Sequence, residues 1–334
     1  MGSAGERPRT LIGVRLPVSV IIPVYNRAKM LRRCLASVWS QYPALPAEVI
    51  VVDDGSNDRS ADLAQELGAR VIRHTHNRGV SAARNSGLHA ATHSWIALLD
   101  SDDEWLPHHL AHLWELSNGH VLVAGSSLDC GTDPAHDRFR GPAHRRPIIL
   151  RGGDQVVSSG NPIPTSGSLF KRDLALEVGG FRSYRQVVED YDMWLRLLEL
   201  GTGICSPRVT VIYHMHDAHL SHETRTMQLA TFEAAEAHRE RTGGSRTPLR
   251  RWEGVVAWDN LRDALRATDR RGAFRWGLRI VAHPQCVAGL VSVWISRYLI
   301  RRRSVLLRAA GVGPTQRGNP RAEAESAGRK RSGL

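Results

Sequence analysis

Cysteine is scarce in this chain. Its four residues, Cys34, Cys130, Cys205 and Cys286, lie far apart among 334. Their spacing matches neither a zinc-ligand set nor a redox pair, which argues against both chemistries. So few cysteines fit a reducing compartment, and a cytoplasmic location is expected. No apolar run reaches the length of a membrane-spanning helix, and residues 1–17 hold no apolar core of the secretory type. There is no glycine-rich phosphate loop ending in Gly-Lys-Ser/Thr, so any bound phosphate must be held by side chains or a metal. No internal repeat is visible.

The chain has 42% hydrophobic residues, enough for one large core or two smaller ones. The net charge is +12, and it is unevenly spread. Residues 301–334 hold nine Lys/Arg against two acids, a net +7. The basicity is therefore mostly a property of the tail, and it calls for a negatively charged neighbour such as an anionic lipid surface or nucleic acid.

Residues 18–125 alternate apolar strand-like runs (18–23, 48–53, 70–73, 95–99, 120–125) with helical patterns (27–41, 58–67, 80–91, 107–116). That succession predicts an α/β fold, a mainly parallel sheet flanked by helices. Residues 126–165, rich in Gly, Pro, His and Arg, read as a long surface excursion with at most a short hairpin. Strands at 168–170 and 209–213 and helices at 171–178 and 191–200 follow. From 227 to about 307 the pattern is helical, and from about 311 it is Gly/Pro/Arg/Ser-rich and expected to be disordered. The expected divisions are an N-terminal extension (1–17), a catalytic domain (18–222, in halves 18–125 and 126–222), a helical C-terminal region (223–310) and a basic tail (311–334).

Four segments carry chemistry. In the first, Ile96-Ala97-Leu98-Leu99 runs into Asp100, Asp102, Asp103 and Glu104, four acids in five positions. Carboxylates so crowded repel one another unless a cation sits among them. At the C-terminal end of a parallel strand, Asp100 and Asp102 would point the same way and suit a hard divalent cation that also holds phosphates. The alternative is an acidic turn capping the next helix. In the second, Asp53 and Asp54 also end an apolar strand, as ligands of a base or ribose or as an Asx turn. In the third, Glu189, Asp190 and Asp192 open a Trp/Leu helix whose dipole stabilises carboxylates; a general base needs such a position facing a cleft, and capping is the simpler reading for Asp192. In the fourth, His214 and His216 share a strand face, and a neutral imidazole there could complete a metal shell. His108 and His112, at i,i+4, read as a surface helix rather than a metal face, and His219 and His222 as surface residues. Val287, Leu290, Val291, Trp294, Ile295, Tyr298 and Leu299 form an amphipathic pattern flanked by Arg297 and Arg301–Arg303, suited to packing on the catalytic domain or to an anionic membrane surface.

Taken in order over 18–222, these segments resemble the family 2 glycosyltransferases, which are inverting enzymes of the GT-A fold. The resemblance rests on Val20 through Asn26, Val51 through Asp58, Asn77-Arg78-Gly79, Ala83 through Gly87, Leu99 through Asp103, Gly179-Gly180-Phe181 and Glu189 through Arg196. It implies that Pro23, Tyr25 and Asn26 edge a nucleotide pocket, that Asp53 binds the base and Asp54 lies near the ribose, and that Arg84 sits beside base and diphosphate. Asp100 and Asp102 match the family's DxD motif, with Asp100 near ribose or metal and Asp102 the metal ligand. Asp190 matches the catalytic base, and His216 a histidine that meets the metal or diphosphate. Many members have Tyr-Arg-x-His where this chain has Tyr213-His214-Met215-His216. The resemblance further implies manganese or magnesium, a UDP- or dTDP-sugar donor, and a glycan, lipid-linked or small-molecule acceptor. A cell-envelope glycan or lipid-linked sugar is the expected acceptor, on the inner face of the membrane. Nucleic acid as partner rests on the tail alone.

Other readings make different demands. A nucleotidyltransferase would carry a Gly-rich basic loop after the first strand, where this chain has Pro23 through Arg27. A catalytically silent sugar-nucleotide-binding or scaffold protein would be expected to lack Asp102 or Asp190. A natural-product glycosyltransferase differs only in the acceptor.

Overall fold

The computed structural model describes residues 13–281, apart from 132–137, 143–144, 160, 184–186, 216–223 and 267. His216, His219, His222, the amphipathic stretch 287–299 and the basic tail lie outside the described residues.

Strands β1 (Val14–Val24), β2 (Ala44–Asp53), β3 (Arg70–Arg73) and β4 (Trp95–Leu98) alternate with helices α1 (Ala28–Trp39), α2 (Ser60–Glu66) and α3 (Val80–Ala90). They pair in the order β3-β2-β1-β4, all parallel. Helices cover both faces, so these strands are near-continuous apolar runs rather than alternating ones. Ile21, Ile50 and Val52 face one core, and Val20, Ile22, Val49 and Val51 face the other. Gly87 lets α3 approach β1 closely, because a Cβ there would come within 2.5 Å of Ile21. β1 begins at Val14 rather than Val18, pairing early with β2 from Ala44.

The second half is mixed. It holds β5 (Glu104–Trp105), α4 (His109–Glu115), β6 (Leu122–Cys130), β7 (Arg138–Arg140), β8 (Ile148–Leu150), α5 (Gly153–Ser159), a 3-10 turn (Thr165–Gly167), β9 (Ser168–Lys171), α6 (Arg172–Glu177), α7 (Glu189–Leu200) and β10 (Gly203–His214). β9 inserts antiparallel between β4 and β6, so the parallel succession stops at β4. Phe170 of β9 secures it by packing edge-on against Phe181 and Trp194.

The expected surface excursion at 126–165 is instead partly core. β6 runs on to Cys130 with every residue buried. Its serines conceal this in the sequence. Ser126 Oγ donates to Ser206 O and Ser127 Oγ to Asp129 Oδ1, which removes the cost of burying them. Helices α8 (Thr224–Thr242), α9 (Thr247–Arg266) and α10 (Arg270–Val281) follow the sheet. Among the described residues, no helix is long and apolar enough to cross a membrane.

Candidate active site

A cleft of about 900 Å3 opens at the C-terminal ends of β1 and β4. This is where an open α/β sheet exposes loop backbone and helix N-termini to a ligand. The N-terminus of α7 faces it, and Met227 and Thr231 of α8 reach its wall. Of the candidate residues, Pro23, Tyr25, Asp54, Arg84, Asp100, Asp102 and Asp190 all line this one cleft. Asn26 and Asp53 do not appear on its wall.

Asp100 and Asp102 do not extend β4, which ends at Leu98. The chain turns instead, with Asp103 N donating to Asp100 O at 3.0 Å. The turn brings Asp100 and Asp102 to the cleft and sends Asp103 inward, fully buried. Burial, with the charges of Asp102 and Asp100, pushes the Asp103 carboxyl well above its usual range. Ser166 Oγ donates to its Oδ2 at 2.5 Å and His214 N to its Oδ1 at 3.3 Å, which ties the turn to the 3-10 segment and to β10. Asp102 pairs with Arg27 at 2.7 Å.

Arg84, on α3, joins the two sides of the cleft. It is 3% exposed. One guanidinium nitrogen meets Asp100 at 2.8 Å, the other Glu189 at 2.5 Å, and its face lies over the Phe181 ring. Burial alone would favour the neutral guanidine. Asp100 and Glu189 outweigh it and hold the group protonated. Burial pushes the Glu189 carboxyl up to about 7, with Arg84 pulling it down and Asp190 adding to the rise.

Asp190 is oriented by a donor on each oxygen: Thr165 Oγ1 to Oδ2 at 2.5 Å and Tyr191 N to Oδ1 at 2.6 Å. Its neighbour Asp192 points away, fully buried against Arg196 at 2.8 Å. Asp192 and Arg196 thus form a buried pair along α7, and Asp192 does not cap the helix, whose N-cap residue Val188 makes no side-chain cap.

Asp53 and Asp54 build the turn after β2. Asp53 Oδ1 accepts from Ser56 N. Asp54 accepts from Arg78 N at 3.0 Å and Gly79 N at 2.8 Å and contacts His74 Nδ1 at 2.6 Å, so it fastens the loop before α3. Gly55 is required there: its φ is +78°, and a Cβ would come within 2.6 Å of the His76 backbone. Asn26, also left-handed at φ 52°, accepts from Asn57 N through its side chain. His214 contacts Glu104 at 2.6 Å rather than the cleft. His108 and His112 point to Val209 O and Ser206 Oγ on β10, not to a shared metal face.

Hard oxygen donors, Asp100 and Asp102, share the cleft wall. That chemistry fits magnesium or manganese held by one or two carboxylates, substrate phosphates and water. Among the described residues no group of three or more His, Cys, Asp or Glu could hold a metal ion.

Several contributors carry no signal in the sequence. Arg27, Thr165 and Ser166 are ordinary turn and helix-edge residues until folding brings them against Asp102, Asp190 and Asp103. Arg140, stacked on Tyr213 at the cleft wall, comes from the stretch expected to be loop.

Known proteins similar to this chain include glycosyltransferases. The chain is 29% identical over 216 residues to the pre-mycofactocin glycosyltransferase of Mycobacterium tuberculosis (61% of this chain, 43% of that one). It is 28% identical over 198 residues to the amylovoran biosynthesis glycosyltransferase AmsE of Erwinia amylovora (56% of this chain, 72% of that one). It spans about half the length of several curated relatives it matches. In fold it is similar to the mannosyltransferase PcManGT from Pyrobaculum calidifontis, solved in complex with GDP-Man and Mn2+. The TM-score is 0.51 at 18% identity, over 84% of this chain and 87% of that one. The profile of glycosyl transferase family 2 matches residues 19–186, half of the chain, from β1 to the segment before α7, and the chain therefore belongs to that family.

Proposed function

We propose that the protein transfers a sugar from a nucleotide-sugar donor to an acceptor hydroxyl with inversion at the anomeric carbon. The observation that carries this reading is the shared cleft: Asp100 and Asp102 on the sheet side, Asp190 on the α7 side, and Arg84 between them. Pro23, Tyr25 and Asp54 would edge the nucleotide, with Asn26 and Asp53 shaping the turns behind them. Asp102, with Asp100 and, beyond the described residues, His216, would hold magnesium or manganese. A divalent cation there offsets the charge that builds on the departing nucleoside diphosphate.

The protein's own groups do the rest. Asp190 takes the proton of the acceptor hydroxyl as that oxygen bonds to the anomeric carbon. The bond to the diphosphate oxygen breaks with its electron pair leaving on phosphate. One displacement inverts the centre, so no second carboxylate nucleophile is required. Thr165 and the Tyr191 amide hold Asp190 in position throughout. UDP or dTDP is the expected nucleotide, and the acceptor a glycan or lipid-linked sugar.

Calorimetric titration of UDP, dTDP and GDP, with and without manganese, tests this on wild type, Asp102→Ala and Asp190→Asn. One nucleotide should bind with metal, and at least about tenfold more weakly to Asp102→Ala. Asp190→Asn should bind it as wild type does, yet lose about a hundredfold or more in transfer from the matching nucleotide sugar. If no nucleotide binds, the silent-scaffold reading takes over. If Asp190→Asn loses nucleotide binding, the base has been misassigned.

A further inference from the structure

Helix α10 has two apolar sides. The helix packs on α9, and one side, with Ala273, Trp276 and Ile280, is partly buried. The other is open to solvent: Phe274 is 71% exposed, Leu278 53% and Val281 77%. These three stand at i, i+4 and i+7, so they form one stripe along the helix. The helix carries four arginines, Arg270, Arg271, Arg275 and Arg279, and no acid. Arg271 and Arg275, both exposed, lie along one edge of the stripe, and Arg275 also stacks on Trp276. The nearest acid in the chain before it, Asp269, caps the helix by accepting from Gly272 N. On α9, Trp258 and Leu265 are likewise exposed, with the exposed Arg262 between them.

We propose that the exposed face of α10 docks on an anionic lipid surface, with Phe274, Leu278 and Val281 entering the boundary between headgroups and acyl chains and Arg271 and Arg275 meeting lipid phosphates. Three observations select this occupant. Large apolar side chains at the centre of the patch gain from hydrocarbon and nothing from a nucleic-acid backbone. Arginine without acid complements an anionic surface, each residue adding to the attraction. A second copy related by a two-fold axis would set these same arginines against each other. The chain also continues from Val281 into sequence that stays apolar and basic, with nine Lys/Arg against two acids over 301–334. Docking through α10 does not depend on the sugar-transfer reading.

The test is co-sedimentation of the full chain with vesicles of phosphatidylcholine alone and of phosphatidylcholine with phosphatidylglycerol at about three to one. It uses wild type, a Phe274→Ser/Leu278→Ser variant and an Arg271→Glu/Arg275→Glu variant, each checked by thermal melting and gel filtration. Wild type should bind the anionic vesicles and not the neutral ones, more weakly at high salt. Each variant should bind at least about tenfold more weakly with melting and elution unchanged. No binding by wild type overturns the proposal. So does binding that both variants retain, which would move the contact to the arginines beyond residue 300. A lowered melting temperature in the serine variant would mean that the stripe packs within the chain. A change in elution volume would mean that it joins two copies.

Discussion

Arg84 carries the heaviest electrostatic duty of any single side chain in the cleft. A buried guanidinium with one paired nitrogen on Asp100 and another on Glu189 is costly to leave half-satisfied, because each unpaired charge would keep its desolvation cost without its partner. Glu189 shows the strain of that arrangement. Its carboxyl is raised from the ordinary 4.5 to about 7, because burial outweighs the pull of Arg84. The sign follows. Between about pH 4.5 and 7 the folded state holds more protons on Glu189 than the unfolded chain does, and stability falls as pH rises through that window. Below the window the contribution is fully present. Glu189→Gln removes this titration, so urea midpoints measured from pH 4 to 8 should lose the part of the decline that wild type shows there. Identical pH slopes in the two proteins would put Glu189 back in the ordinary carboxylate range. Asp102 is held differently. Its side chain is 4% exposed and that of its partner Arg27 31%, so a cation that displaced Arg27 would have to take over the charge pairing of a buried carboxylate.

At the scale of elements, the site depends on turns that tertiary contacts hold in register. The Gly179-Gly180-Phe181 turn joins α6 to the segment before α7. Gly180 takes φ +65° there, and a Cβ on it would come within 2.5 Å of Asn85 Oδ1. Asn85 grips this turn with both ends of its amide, Nδ2 donating to Phe181 O at 2.7 Å and Oδ1 accepting from Phe181 N at 2.8 Å. Arg196 holds it from the other side through Val178 O and Gly180 O. Phe181, so fixed, supports the Arg84 guanidinium from below. Asn85→Ala should therefore cost about 1–3 kcal/mol, read as a lower denaturant midpoint at unchanged slope. A midpoint within error of wild type would mean that Arg196 alone secures the turn. The same coupling explains why Ala83 through Gly87 and Gly179-Gly180-Phe181, far apart in the chain, belong to one recognisable set. They are two halves of one contact.

At the scale of the whole molecule, the helices after the sheet are attached through polar contacts as well as apolar ones. His238 on α8, buried, lies 2.7 Å from Glu199 of α7, and Arg241 meets the same carboxylate at 2.8 Å. Gly153 of α5 leaves room for His238, whose ring a Cβ there would meet at 2.5 Å. Burial would raise the Glu199 carboxyl, but Arg241 and His238 outweigh it and hold it below its ordinary value. Its contribution is therefore present above the ordinary carboxylate range and lost as pH falls through the lowered one. Glu199→Gln should lower stability at pH 7 by roughly 1–2 kcal/mol, since these groups are partly solvated. The loss relative to wild type should shrink at acid pH. A thermal melt that shows no loss at pH 7 would mean that apolar packing alone seats α8, the helix that carries Met227 and Thr231 to the cleft wall.

The parallel half of the sheet, its helices and the acids at its strand ends were legible in the chain because each is a local pattern. Long apolar runs mark strands buried on both faces, and glycines and aspartates punctuate their ends. The same locality made the motif set recognisable and pointed to Asp100, Asp102, Arg84 and Asp190 before any contact was known. What the sequence could not decide is pairing across distance. The antiparallel insertion of β9 between β4 and β6, the burial of serines in β6, the direction in which Asp103 turns, and the partners of Glu189 and Asp190 all depend on residues far away in the chain. A buried serine or carboxylate looks like a surface residue until its hydrogen-bond partner is known, because that partner alone offsets the cost of removing it from water.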